Sequence, residues 1–326
     1  MKYPLYNLTI CTGIFFGFPQ YSQGSQIVTY NDDTSIQTGT VRSLSLGGSM
    51  SLSGMGKGDA FGNPASIYNI PQSIIFSFRN LPANLSQIHI LSFSWKNKKS
   101  SFSILYHQQS IDEIPNTINA FSGYDSMGRP LLDYDNITKF TDIKIGFLVT
   151  MARQYNQSTN IGITLKPVFR KIGNESAVGI GLDFGIIKKY PDDLYIGVTA
   201  RNIIPVITNW STGTNEINLP EFIIGFEKTY DRVSILMDSY MQLTDTNFTD
   251  AISGYHLGIE YQILDFIKIR GGRSDIHSIT AGFGIELHKY QVDYTYLETD
   301  DYYAIQSISV QTAVDNIFES LKKIDP

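Results

Sequence analysis

Long runs of period-two alternation constrain this chain more than any other feature of its sequence. From Ser73 onward, apolar side chains alternate with polar residues or glycines, as in 178–186 and 278–288. Such alternation places one set of side chains on each face of a β-strand. Strands of soluble proteins average about five or six residues, whereas a tilted strand that crosses a bilayer needs about nine to eleven. Most runs here are of the longer kind, which favours strands that cross a membrane.

The order of these runs predicts a closed barrel. About fourteen strands can be drawn, at 73–79, 87–96, 100–108, 141–151, 158–170, 175–188, 193–203, 219–228, 231–243, 252–263, 265–273, 277–288, 290–297 and 303–311. If the first strand rises outward, short turns fall on the inner side and longer connections on the outer side, which is typical of outer-membrane barrels. The longest connection, 108–141, contains aromatic residues and is expected to be a folded external loop. We therefore predict an all-β fold, a transmembrane antiparallel β-barrel with apolar faces toward outer-membrane lipid and polar or glycine-rich faces toward the interior.

The N-terminus has the pattern of a cleavable secretory signal. An apolar run at 8–18 follows a positive residue, and the small residues Ser22 and Gly24 stand two apart, as a cleavage site requires. The alternative is a first buried strand. The only cysteine, Cys11, lies in the apolar run, so the mature chain would carry no thiol for disulfides, catalysis or metal binding. We predict a signal peptide over 1–24 and export to the bacterial outer membrane.

Between the signal and the first strand, a glycine-rich segment predicts a plug, or hatch, in the barrel. Its glycines permit close backbone approach, and Pro64 pre-sets the start of a turn or helix. A compact coil of this kind can pack into a barrel mouth without the bulk of a separate domain. After the last strand, apolar residues at helical spacing predict a short C-terminal helix. The predicted organisation is a signal peptide at 1–24, a hatch at 25–72, a barrel at 73–311 and a periplasmic tail at 312–326.

An ordered set of residues in the hatch segment carries a family resemblance. The set is Arg42, Leu46, Gly47, Gly48, Gly58, Asp59, Ala60, Asn63, Pro64 and Ala65. In this order it resembles the N-terminal region of the PorV/PorQ family of FadL-like outer-membrane barrels, which shows Arg, then a Leu-Gly-Gly element, then Gly-Asp-Ala and Asn-Pro-Ala. The closing strands, around 269–273, 280–285 and 292–294, are similar as well. The resemblance implies a fourteen-strand barrel with a hatch in its lumen.

The resemblance implies two functions, and the sequence leaves a third class open. PorV-like relatives work with the type IX secretion system and hold cargo proteins by a C-terminal signal, so the main prediction is a component of protein secretion and surface display. Its partners would be secreted cargo proteins or other secretion-system components. The alternative is a FadL-like transporter of small hydrophobic compounds, which needs an apolar lumen pocket and a break in one strand. A soluble secreted β-rich glycan-binding protein is the third possibility.

Charged residues on the predicted inward faces are expected to form a network in the lumen. The candidate lumen-lining residues are Asp183, Asp238, Glu260, Glu286, Asp293, Lys144, Lys166, Lys268 and Arg270. Buried carboxylates need cationic partners, so ion pairs are the expected arrangement, and an acid/base pair of a hydrolase is the alternative. The chain has no recognisable catalytic motif and its five histidines are scattered, so no enzyme activity, metal or cofactor is predicted. A net charge of -6 without a basic stripe gives no reason to expect a nucleic-acid partner.

Overall fold

The computed structural model describes residues 27–29, 39–53, 60–68, 70–81, 86–246, 249–275, 277–299 and 304–315. The predicted signal peptide, Gly58 and Asp59 of the hatch motif, and most of the predicted C-terminal helix lie outside the described residues.

Strands make up most of the described chain. In chain order they are β1 (Ile27–Thr29), β2 (Ser73–Asn80), β3 (Gln87–Asn97), β4 (Ser100–Asn116), β5 (Phe121–Tyr124), β6 (Pro130–Leu132), β7 (Thr138–Asn156), β8 (Thr159–Ile172), β9 (Glu175–Tyr190), β10 (Leu194–Trp210), β11 (Asn215–Asn218), β12 (Glu221–Tyr230), β13 (Val233–Leu243), β14 (Ala251–Leu264), β15 (Ile267–Ser274), β16 (His277–Leu287), β17 (Tyr290–Thr299) and β18 (Ala304–Ala313). An α-helix, α1, spans Val41–Ser45, and short 3-10 helices span Pro64–Ile67, Ile118–Ala120 and Tyr134–Asn136. Among the described residues, no helix has the length and apolar content needed to span a membrane.

Fourteen of the strands close into one antiparallel barrel. They are β2–β4, β7–β10 and β12–β18, each hydrogen-bonded to the next, and β18 pairs with β2 so that Ala313 lies opposite Ser73. β11 and β1 extend the sheet beside the outer part of β10, while β5 and β6 form a separate hairpin. The predicted fold class, an all-β antiparallel barrel, is confirmed.

The outer end of the barrel is more regular than the sequence predicts. β4 and β7 extend until Asn116 pairs with Thr138, and β10 runs on to Trp210. The predicted connection 108–141, and the connection between the predicted strands 193–203 and 219–228, are therefore wrong in extent. In both, strand residues extend well into the region that was predicted to be a loop. Alternation gives no signal there because much of the β4–β7 extension is exposed to solvent on both faces, so neither face has to be apolar.

Apolar side chains point outward around the barrel. In β12, Phe222, Ile224 and Phe226 are exposed, while Ile223 and Gly225 between them are buried. β9, β13 and β14 repeat this alternation. An exposed apolar surface of this extent is unfavourable in water and matches the lipid-facing band of a membrane barrel.

The interior of the barrel is filled by the segments 39–53 and 60–68 together with Ile70, which we call the hatch. Its side chains Leu44, Phe61, Ile67 and Ile70 are buried against apolar residues of the inner wall. The wall residues in this cluster are Leu81, Ile88, Ile90, Leu105, Leu148, Ala152, Leu297 and Ile305. The expectation of an entirely polar and glycine-rich inner wall is therefore wrong for β3, β4 and parts of their neighbours, because these strands bury the apolar side of the hatch.

Candidate functional site

The hatch begins with a short helix that ends on two glycines pressed against the wall. The Thr40 side chain caps α1 by accepting a hydrogen bond from the Ser43 amide at 3.1 Å. Gly47 and Gly48 then take φ values of 74° and 86°, a left-handed region that favours glycine. A Cβ on Gly47 would lie 2.5 Å from the Leu257 carbonyl oxygen, so a side chain has no room there. These glycines of the hatch motif are therefore required both by the turn and by contact with the wall.

Asp238 of β13 holds the chain that follows this turn. Its carboxylate accepts hydrogen bonds from the amides of Met50 and Ser51 at 2.7 and 3.0 Å, and from the hydroxyls of Ser49 and Ser51 at 3.1 and 2.7 Å. All four donors belong to the hatch and the acceptor belongs to the barrel. Hydrogen bonds to a charged group are among the stronger ones in proteins. Asp238 is therefore a principal anchor of the hatch.

A buried ion-pair network forms the second anchor. Arg42 of the hatch donates two hydrogen bonds of 3.0 Å to the two carboxylate oxygens of Glu260, and another to the Ser53 carbonyl oxygen. Arg270 bridges Glu260 and Asp293 with two contacts of 2.6 Å. Burial alone would lower the pKa of the Arg42 guanidinium, but the facing Glu260 carboxylate outweighs it and the pKa lies above its ordinary value. Arg42 is therefore charged, and each of the two buried groups, its guanidinium and the Glu260 carboxylate, has an oppositely charged partner.

Asn63 makes the third anchor, at the start of the Pro64–Ile67 helix. Its amide nitrogen donates to the carbonyl oxygens of Ile186 and Val198, each at 3.1 Å, on the adjacent strands β9 and β10. Its side-chain oxygen accepts from the Ala65 amide at 2.9 Å and so caps the helix. One side chain thus fixes the local turn and joins it to the wall.

Glycines on the inner wall form the surface on which the hatch lies. A Cβ at Gly258 would lie 2.7 Å from the Leu46 Cβ, and one at Gly282 would lie 2.5 Å from the Ser45 Cβ. A Cβ at Gly185 would overlap the Asn63 side-chain oxygen. The glycine-rich inward faces of the strands are thus explained by close packing of the hatch rather than by an open channel.

Above the hatch, toward the outer end, lies a cavity of about 90 Å³. Phe61 of the hatch contributes to its lining, and its ring lies tilted beside His107 of β4, with 6.0 Å between the ring centroids. The rest of the lining comes from β4, β7–β13 and is rich in charge. The charged residues of the lining are Lys144, Lys166, Arg170, Asp183, Arg201, Glu216 and Glu221.

Two buried ion pairs line this cavity. Lys166 contacts Asp183 at 2.6 Å, and Arg201 contacts Glu221 at 2.9 Å, with these side chains no more than 12% exposed. Asp183 also accepts the Asn202 amide at 2.7 Å. The cavity is therefore a polar, hydrogen-bonded space.

The candidate lumen residues divide into three places. Asp238, Glu260, Arg270 and Asp293 meet the hatch or its anchor network, whereas Lys144, Lys166 and Asp183 line the cavity. Lys268 and Glu286 form a partly exposed pair of 3.2 Å on β15 and β16, outside both groups. Sequence reasoning missed Arg201, Glu221 and Phe61. Arg201 and Glu221 lie near the ends of the predicted strands 193–203 and 219–228, and only their pairing in the folded barrel singles them out.

Beside the cavity the pairing of β9 with β10 is irregular, and its register shifts twice. Ala200 pairs with Phe184 but Ile207 pairs with Ile180, so β10 carries extra residues over this stretch. Asn202 has a φ of 49°, and Pro205 has no amide hydrogen to donate to β9. β10 is therefore bulged next to the cavity, but it continues as one strand to Trp210, so the strand break predicted for a FadL-like transporter is not seen among the described residues.

No protein-family model matches this sequence, and no curated protein matches it by sequence. The fold is similar to that of TbuX, a toluene transporter of Ralstonia pickettii, with a TM-score of 0.56 and 10% identity over 83% of this chain and 97% of TbuX. TodX, a toluene transporter of Pseudomonas putida, gives a TM-score of 0.58 at 10% identity, covering 83% and 96% of the two chains. A FadL homologue of Pseudomonas aeruginosa gives 0.52 at 11% identity, covering 85% and 98%.

The fold of this chain is therefore similar to that of FadL-like barrels. At these identities the likeness concerns the fold and not the activity. The narrower resemblance to the PorV/PorQ family stays a prediction from the hatch residues.

Proposed function

We propose that this protein is an outer-membrane transporter of small molecules that its own hatch closes from within. The observation that carries the proposal is the cavity of about 90 Å³ that lies directly above the hatch, with Phe61 of the hatch in its lining. A solute that enters from the outer end would reach this cavity first. Further passage would require the hatch to move or the wall to open.

Three observations support a location in the outer membrane. The barrel exposes apolar side chains outward, the fold is FadL-like, and the N-terminal sequence is typical of an export signal. In the membrane, lipid chains would cover the apolar outer surface of the barrel, which would otherwise be exposed to water.

Two routes out of the cavity are consistent with this proposal. The contacts of Arg42 and Asp238 are non-covalent, so the hatch can be released without breaking the barrel. The bulged pairing of β9 with β10 near Asn202 marks the place where a lateral route would open. The solved neighbours TbuX and TodX are named as toluene transporters.

The test is permeation through liposomes that contain the purified protein. Asp238→Asn keeps the side-chain shape but removes the charged acceptor of four hatch hydrogen bonds. We expect this variant to raise the rate of swelling in small solutes several-fold over the wild type, because the hatch loses an anchor. Glu286→Gln, in a partly exposed pair away from the hatch, is the matched control and should leave the rate unchanged.

The proposal fails if both the wild type and Asp238→Asn are impermeable while hatch residues become sensitive to protease in the variant. In that case the hatch would have moved without opening a path.

A second candidate function, in protein secretion and surface display, is favoured by the outer arm, residues 108–141. Its tip exposes large apolar side chains, with Ile118 82% and Met127 78% exposed. Exposed apolar patches often bind other proteins. Replacing 117–137 with a short turn should then abolish surface display of exported proteins in the native host while swelling stays unchanged. Normal display by this variant would contradict the secretion role.

A further inference from the structure

We infer that the cavity above the hatch binds small zwitterionic solutes, which carry a carboxylate and an ammonium group a few bonds apart. This inference rests on the proposed transport function and names its substrate class. It follows from the distribution of charged residues around the cavity, from their ion pairs and from the net charge of the outer arm.

The cavity has a basic side and an acidic side. Lys144 of β7 and Lys166 and Arg170 of β8 lie on one side, whereas Glu216 of β11 and Glu221 of β12 lie on the other. β9 and β10 separate the two sides around the barrel. Both signs of charge therefore face the cavity, and a solute with separated charges can place each of its charged groups beside an opposite one.

Ion pairs within each side place both charge signs there. Asp183 lies against Lys166, and Arg201 lies against Glu221. Arg170 is also paired, at 2.9 Å, with Asp142 of the neighbouring strand. A solute that offers both a carboxylate and an ammonium group can join such a network and leave no charge without an opposite neighbour. A solute with one charge would leave part of the network unmatched.

A hydrocarbon fits this space poorly. Burying the Lys166–Asp183 and Arg201–Glu221 pairs under an apolar molecule would remove water from charged groups and return no hydrogen bond. Apolar lining is confined to a few positions, among them Phe61, Leu148 and Val206. These positions can contact a short carbon skeleton but do not enclose a large apolar one.

The approach to the cavity also disfavours singly charged solutes. The outer arm carries Asp112, Glu113, Asp125, Asp133 and Asp135 against two basic residues, Arg129 and Lys139. This excess of negative charge repels anions before they reach the cavity, and the basic wall then repels cations. A solute of zero net charge avoids both penalties.

The experiment measures binding of four probes to the mature full-length protein in detergent micelles by saturation-transfer NMR and calorimetry. Alanine, propionate and propylamine have a similar carbon skeleton and differ in charge, and toluene represents a hydrocarbon. We expect alanine to bind roughly fivefold or more tightly than propionate or propylamine, about 1 kcal/mol. Toluene should not displace alanine.

Two cavity variants test the roles of the two sides. Glu216→Gln should weaken alanine toward the affinity of propionate and leave propionate unchanged or tighter, because the ammonium group loses its partner. Lys144→Met should weaken alanine and propionate together. Glu286→Gln lies outside the cavity and should change none of the affinities. Heat-modifiable migration on a gel checks that each variant is folded.

Equal binding of the three charged probes, or displacement of alanine by toluene, would overturn the inference. If the binding preference fails but Asp238→Asn liposomes swell, the substrate class is wrong and the transport function stands. If alanine binds with the expected preference and no solute passes, the transport function is wrong.

Discussion

At the scale of the residue, the glycines of the inner wall matter as much as the charged anchors. Glycine has no Cβ, and at Gly185 that missing atom is the space taken by Asn63 of the hatch. At Gly258 and Gly282 it is the space taken by Leu46 and Ser45. Glycines on the inward face of these strands therefore mark the positions where the hatch contacts the wall.

We predict that Gly185→Ala displaces the Asn63–Ala65 turn without unfolding the barrel. The new methyl group would overlap the Asn63 oxygen, and the two hydrogen bonds of Asn63 to β9 and β10 would be lost, at a cost of about 1–3 kcal/mol. Limited proteolysis of the hatch in micelles measures the effect. Gly271→Ala is the control, since its Cβ would meet nothing closer than the Thr280 carbonyl oxygen at 3.8 Å. Equal protection of both variants would contradict the packing described here.

At the scale of the element, β10 combines a regularly paired part with a bulged part. From Leu194 to Arg201 it pairs residue by residue with β12, and beyond Ala200 its register with β9 shifts twice. The shift brings the Asn202 amide to Asp183 and the Asn202 side-chain amide to the Leu219 carbonyl oxygen, at 2.7 and 3.3 Å. The irregular part of the strand thus builds one wall of the cavity.

The left-handed conformation at Asn202 gives a prediction for this element. Asn202→Val should lower the temperature at which the folded band is lost on a gel, because a β-branched residue at a φ of 49° is strained by about 1–3 kcal/mol. Asn202→Gly relieves the strain but loses the same side-chain hydrogen bonds, so the difference between the two variants isolates the backbone term. A valine variant as stable as the glycine variant would show that the strand does not hold this bend.

At the scale of the whole molecule, the barrel has an apolar outer surface that can contact lipid, and the hatch occupies its interior. We predict recovery of the protein in the outer-membrane fraction and a folded form that migrates differently on a gel before and after boiling. The reason is the ring of fourteen paired strands with apolar side chains outside. A monodisperse protein in water without detergent would instead favour the secreted glycan-binding class.

The sequence by itself determined the strands and their orientation. Period-two alternation marked all fourteen barrel strands, because lipid outside and packing inside demand different side chains at successive positions. The glycine-rich segment after the predicted export signal indicated the hatch, and Asn63, Pro64 and Ala65 do lie within the barrel.

Only the tertiary structure decided which residues meet inside. Arg42 and Glu260 are 218 residues apart in the chain, and the donors to Asp238 precede it by nearly as many. No local pattern encodes such pairings, since they arise when the ring closes and the hatch enters it. The same holds for the cavity, whose lining combines side chains of β4 and of β7–β13 with Phe61 of the hatch. Alternation says that a side chain points inward, and the closed ring determines what it meets there.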